Sequence, residues 1–217
     1  MIGLLYKDFQ LILKRVGVVN RVFIALILLL VTIFGRESGT IFLSIMIPIG
    51  LASIPTSLLV ADDENGWNRY VGVFPITKKN IVLARYIFCI SLIVFVSLIT
   101  FILSVVTALI FQQFSLQIHI SISMVGLLIG IMYVIFLLPA VYAFGSFGST
   151  IVNILVLALI MGMVYILQKT ALGLMFVTWI SHANVLLLIV ISCIIIALIS
   201  VISMIISTKL YTNTFNR

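Results

Sequence analysis

Apolar residues run through this chain in long unbroken stretches, and the stretches number six: Val16–Gly35, Thr40–Ala61, Val82–Phe111, His119–Phe144, Thr150–Gln168 and roughly Ile180–Ser207. About 20 apolar residues in helical form cross a hydrocarbon layer ~30 Å thick, so each stretch predicts a membrane-crossing helix. The third, fourth and sixth are long enough to tilt or to continue past the headgroups. The short alternating segments that a barrel needs do not occur. The expected fold is an all-α membrane protein with six transmembrane helices, built as a single domain over residues 1–217.

Ahead of the first stretch, residues 1–15 read as an amphipathic helix. Ile2, Leu5, Tyr6, Phe9, Ile12 and Leu13 share one helical face, while Lys7, Asp8, Gln10, Lys14 and Arg15 take the other; Leu4 and Leu11 blur the division. Basic residues opposite leucines and an aromatic suit a helix lying in an anionic headgroup layer. The plainer alternative is an extension of the first span. Pro48 and Pro55, seven residues apart, predict a bend in the second span, and Pro139 a kink in the fourth. Gly126, Gly130, Gly145 and Gly148, in or beside the fourth span, permit close helix contact or tight turning, and Phe144–Ser149 reads as a short cytoplasmic turn. Residues 169–179 are apolar but short and Gly-interrupted. They suit either an external interfacial segment anchored by Trp179 or a helix dipping into the outer leaflet.

Composition agrees: 64% of residues are hydrophobic and 8% charged, with a mean hydropathy of +1.43, far outside soluble proteins. Lysine and arginine in the short loops set the orientation. Lys7, Lys14, Arg15, Arg21, Arg69, Lys78, Lys79, Arg85, Lys209 and Arg217 fall on one side by count of spans, against Arg36 and Lys169 on the other. Both termini and the loop after the second span are therefore expected in the cytoplasm, and Arg21 is expected to snorkel to phosphate. The net charge of +7 then reflects this bias and needs no nucleic-acid partner. The first fifteen residues are too charged for a cleavable signal peptide. Cys89 and Cys193 lie within spans and read as small hydrophobes.

One polar passage interrupts the pattern, Asp62-Asp63-Glu64-Asn65-Gly66-Trp67-Asn68-Arg69-Tyr70, followed by Phe74-Pro75-Ile76-Thr77-Lys78-Lys79. Three consecutive carboxylates cannot share one site on a helix. They are read as the solvated acidic start of a short helix, complementing its dipole. Trp67, Arg69 and Tyr70 on that helix are the residue types found at interface hot spots; the alternative is a surface loop whose aromatics dip into lipid. Catalytic motifs are absent from the sequence. It has no phosphate-cradling G-x-x-x-x-G-K-[ST] loop, no H-E-x-x-H and no Cys/His ligand spacing. His119 and His182 read as interfacial polar residues at external span ends. No serine has a base and an acid arranged around it locally.

The run Glu64-Asn65-Gly66-Trp67-Asn68-Arg69-Tyr70, then Phe74-Pro75-Ile76-Thr77-Lys78-Lys79 with Arg85-Tyr86 behind it, resembles the first cytoplasmic loop of small type-2 ABC exporter permeases. Phe74 stands where such loops usually have leucine, and Lys78 where arginine is commoner. The resemblance extends to six spans, an N-terminal interfacial helix and cytoplasmic termini, hence nearly the whole chain. It implies that residues 62–81 form a coupling loop contacting a separate ATPase subunit through Asp63, Glu64, Gly66, Trp67, Arg69, Tyr70, Pro75 and Lys78. It implies no catalytic residue, metal or cofactor on this chain, with ATP and magnesium bound by the partner ATPase. A second permease subunit, in a homo- or heterodimer, and membrane lipid are the other expected partners. Ser53, Thr56, Asn153, Met161 and Met163 are candidate liners of the path for amphipathic or hydrophobic cargo, peptides foremost. The rival readings are a membrane-embedded enzyme using Asp62, Asp63 or His182, and a non-transporting scaffold or immunity protein.

Overall fold

The computed structural model describes residues 2–15, 17–67, 71–73, 76–169 and 185–214, without the side chains of residues 18–22, 72, 160, 163, 164, 166–169, 185–189, 213 and 214. Among the described residues every regular element is helical: α1 (Ile2–Arg15), α2 (Val18–Leu51), α3 (Ile54–Glu64), a 3-10 turn at Val71–Val73, α4 (Lys78–Phe111), α5 (Leu116–Phe144), α6 (Phe147–Lys169) and α7 (Val185–Thr214). Among the described residues, four stretches are long and apolar enough to cross a membrane: Phe23–Glu64, Lys78–Phe111, Leu116–Phe144 and Val190–Thr212.

The first of these four is folded back on itself. Arg36 has φ 49° and ψ −133° inside α2, and a Cβ added at Gly39 would lie 2.3 Å from the Val31 carbonyl oxygen. Eight residues along a straight helix span about 12 Å, so the chain reverses at Arg36, and Ile24 and Leu28 of the first arm line one cavity with Thr40, Leu43 and Ile47 of the second. Only glycine at position 39 lets the two backbones meet so closely. The returning arm breaks again at Ala52–Ser53, and α3 restarts with Pro55 in its first turn, where a missing N–H costs nothing. The bend expected from Pro48 and Pro55 is thus a true break at the second proline, whereas Pro48 and Pro139 sit inside continuous helix.

At the centre, α5 packs against α2, α4, α6 and α7, and α4 against α2, α5 and α7. Contact between α2 and α5 is backbone-close, since a Cβ at Gly126 would fall 2.1 Å from the Ser44 carbonyl oxygen. Such approaches favour helix association in lipid, where apolar burial alone gives no drive. On α4 the buried face is a ladder of hydroxyls: Ser97, Thr100, Ser104 and Thr107. Their spacing of three and four places them on one stripe.

The α1 helix corrects its predicted polar face. Leu4 and Asp8 are its buried residues, with Leu5, Leu11 and Ile12 packed on the core, while Ile2, Tyr6 and Phe9 are exposed. The apolar face is therefore divided between protein and surroundings, which accounts for the blur at Leu4 and Leu11. Asp8 is buried because it meets buried cations. The side chain of Arg21 and the segment with Trp179 and His182 lie outside the described residues.

Candidate functional site

The polar passage begins as the end of a helix. Asp62, Asp63 and Glu64 are the last residues of α3, and Asn65 and Gly66 close it. The Asn65 N–H donates to the Ala61 carbonyl at 3.0 Å, the Gly66 N–H to that of Asp63 at 3.1 Å, and Gly66 has φ 66°. A left-handed glycine just past the last turn is the usual helix stop. The expected acidic helix start is overturned, and with it the dipole argument, since carboxylates at a C-terminus are unfavourable. Cations offset that cost.

Asp62 is buried and bound on both oxygens. Lys7 Nζ donates to Oδ1 at 2.7 Å, and the Arg85 guanidinium donates to Oδ2. Asp8 joins at 3.3 Å from Lys7 and 3.5 Å from Arg85. Two carboxylates and two cations from α1, α3 and α4 thus neutralise one another in a nearly dry place. Such a cluster adds little net stability but is costly to break, because any survivor is left charged and buried. Nearby, Arg15 donates to the Ser57 carbonyl at 2.8 Å and lies 3.8 Å from Glu64. Both oxygens of Asp62 are thus taken up by cations.

Trp67 is half-buried against the core, and Lys7 Nζ lies 4.2 Å from its ring centre. Residues 68–70, 74 and 75 lie outside the described residues, so the expected roles of Arg69, Tyr70 and Pro75 do too. Lys78 opens α4, where Thr77 caps the helix by accepting from the Asn80 N–H at 3.3 Å. Of the expected coupling residues, Asp63 and Glu64 lie in the last turn of α3, Gly66 closes it and Trp67 follows directly. A cavity of about 170 Å³ opens beside it, lined by Asp62, Asp63, Arg85, Tyr142 and Tyr211 among others.

The candidate liners of a path fall on several elements. Ser53 is exposed and donates to the Gly50 carbonyl, Thr56 is half-buried on α3, and Asn153 on α6 accepts from the Tyr133 hydroxyl. Met161 is exposed, and the side chain of Met163 lies outside the described residues.

A second polar cluster, at the far end of the bundle, was missed by sequence reasoning. Glu37, directly after the reversal, accepts from the N–H groups of Gln113 and Phe114 at 2.6 and 2.7 Å. His119 Nε2 is 3.2 Å from the same carboxylate, and its Nδ1 is 2.7 Å from Ser104 Oγ. His119 is fully buried, not interfacial. Serine, imidazole and carboxylate stand in line, yet all three are sealed from solvent, so the arrangement pins the α4–α5 turn to the α2 hairpin. Glu37 and His119 are 82 residues apart, and no local signal could have paired them; the α4 hydroxyl stripe could have been read from its spacing.

Compared with known families, residues 3–212 match the family described as ABC-2 family transporter protein. The chain belongs to the ABC-2 transporter family. It is thus a multi-pass membrane permease of an ABC transporter, the component that has no ATPase of its own and that implies an ABC ATPase partner. No curated protein and no solved structure matches it. In this ABC-2 permease the ion cluster ties the α3 end to both α1 and α4.

Proposed function

We propose that this chain is one permease half of an ATP-driven exporter, paired with a second permease chain and with ABC ATPase subunits that bind ATP and magnesium. Six passes are counted as the two arms of α2 (the second continued by α3), then α4, α5, α6 and α7. Both termini and residues 62–81 face the cytoplasm, and α1 lies in the inner headgroup layer with Ile2, Tyr6 and Phe9 toward lipid. The narrower likeness is to permease subunits of staphylococcal phenol-soluble modulin exporters, and amphipathic peptides are the cargo class assigned.

The observation that carries this reading is the Lys7–Asp62–Arg85 tie beside Trp67. An ATPase that grips the helix end around Trp67 pulls on α3 directly, and through the ion pairs on α4 and α1. Closure on ATP then tilts the second and third passes together, provided the ATPase holds the loop differently in its two states.

Reconstitution tests the reading. The purified chain alone neither binds nor hydrolyses ATP, and hydrolysis with outward movement of an amphipathic peptide appears when the co-encoded ATPase is added. Stoichiometric ATP binding by the isolated chain, or no flux with any ATPase partner, overturns it. A scaffold predicts the second result.

A further inference from the structure

Serine and threonine inside these helices usually return their hydroxyls to their own backbone. Thr32, Ser44, Ser91 and Thr107 all donate to a carbonyl three or four residues back. That habit removes the cost of a bare hydroxyl in hydrocarbon. Ser97 on α4 and Ser123 on α5 depart from it. They are 4% and 7% exposed, and neither hydroxyl has a hydrogen-bond partner. Both line the same cavity of about 140 Å³ between the two helices, whose remaining wall is apolar, with Phe101, Ile120, Met124 and Leu127.

Depth narrows what this cavity can hold. Ser97 lies twelve residues along α4 from Arg85, about 18 Å from the ion cluster, and seven from Ser104, about 10 Å from the Glu37–His119 cluster. No charged side chain lines the cavity, so an ionised group would be buried there uncompensated, at prohibitive cost. Water is a poor fit as well. One molecule can bridge the two hydroxyls, but further molecules in a space this size would face only carbon, and apolar cavities of similar size stay dry. A neutral polar group on an apolar body satisfies both hydroxyls and fills the remainder.

We propose that the cleft between α4 and α5 is a binding site for a neutral amphiphile, whose hydroxyl, amide or protonated carboxyl group bonds Ser97 and Ser123. The site is independent of the exporter reading, because neither ATP nor a partner chain enters the argument. Such a molecule could come from the bilayer or from cargo, and the chemistry of recognition is shared.

The test is photolabelling of the full chain in nanodiscs with a diazirine-bearing medium-chain alcohol, its matched alkane, and an apolar peptide ending in an alcohol. The alcohol should label the peptides carrying Phe101 or Met124 at least fivefold more than the alkane. The Ser97→Ala/Ser123→Ala chain should fall to the alkane level. It should unfold no earlier than wild type, since removing unpartnered hydroxyls costs little. Leu127→Phe, which fills the cleft and leaves both serines, should abolish labelling by all three probes. Labelling by the lipid-dissolved alcohol alone marks a bilayer site, and labelling by the peptide as well marks one open to cargo. Equal labelling by alcohol and alkane, or undiminished labelling of the double variant, overturns the proposal.

Discussion

The ammonium of Lys7 sits 4.2 Å above the ring of Trp67 while donating to Asp62. One lysine therefore fixes both the end of α3 and the aromatic residue that follows it. Trp67 packs on the core beneath that ammonium, and its proposed second role is contact with the ATPase.

Truncating that ring should separate the two roles. Trp67→Ala is expected to weaken ATPase association by at least ~2 kcal/mol, roughly thirtyfold, as buried aromatic anchors do. Glu64→Ala, at an exposed position beside Arg15, should cost no more than ~0.2–1 kcal/mol. Quantitative pull-down of the ATPase with the three chains decides the matter. An unchanged Trp67→Ala yield assigns the tryptophan to α1 packing alone.

Arg85 is the cation whose loss should hurt most. Arg85→Met leaves Asp8 and Asp62 with only Lys7 between them in a buried setting, and a cost of about 3–5 kcal/mol is expected. Adding Asp62→Asn should restore part of it. Thermal unfolding of the single and double variants in detergent measures this, and an additive double variant would show that the pair does not interact.

Much of the architecture was legible, for reasons visible in particular residues. Unbroken apolar runs fix helices whatever their partners, and the reversal falls at the charged pair Arg36-Glu37 between two such runs. The acidic passage was misread because consecutive carboxylates suit a helix start electrostatically. Asn65-Gly66 was the better signal, since the φ of 66° at Gly66 is a backbone demand that no charge pattern reverses. Arg85 counted as a vote for orientation and as part of the family-like run, and its burial with Asp8 and Asp62 depends on contacts across α1, α3 and α4 that one sequence does not display.

Backbone contact at Gly126 gives a sharper packing test. Gly126→Ala places a carbon 2.1 Å from the Ser44 carbonyl oxygen, where backbone must shift, and should destabilise by about 1–3 kcal/mol. Gly162→Ala on α6, with nothing within 4 Å, should be neutral or slightly stabilising. Equal unfolding temperatures for the two variants would contradict the close α2–α5 crossing.

Topology is tested with single cysteines in a chain lacking Cys89 and Cys193. An impermeant thiol reagent applied to intact cells should reach Ser115→Cys, between α4 and α5, and spare Asn65→Cys until the membrane is opened. Labelling of Asn65→Cys from outside would invert the orientation read from lysine and arginine.

The ion cluster also has an order of completion set by synthesis. Lys7 precedes Asp62 by 55 residues, and Asp62 precedes Arg85 by a further 23. At ~5–20 residues per second, several seconds pass between emergence of the first member and the last. Throughout that interval Lys7 and Asp8 on α1 lack the buried Arg85 that completes their cluster. A nascent chain halted before Arg85 would carry an unfinished cluster, a mark by which quality control could tell it from a finished one.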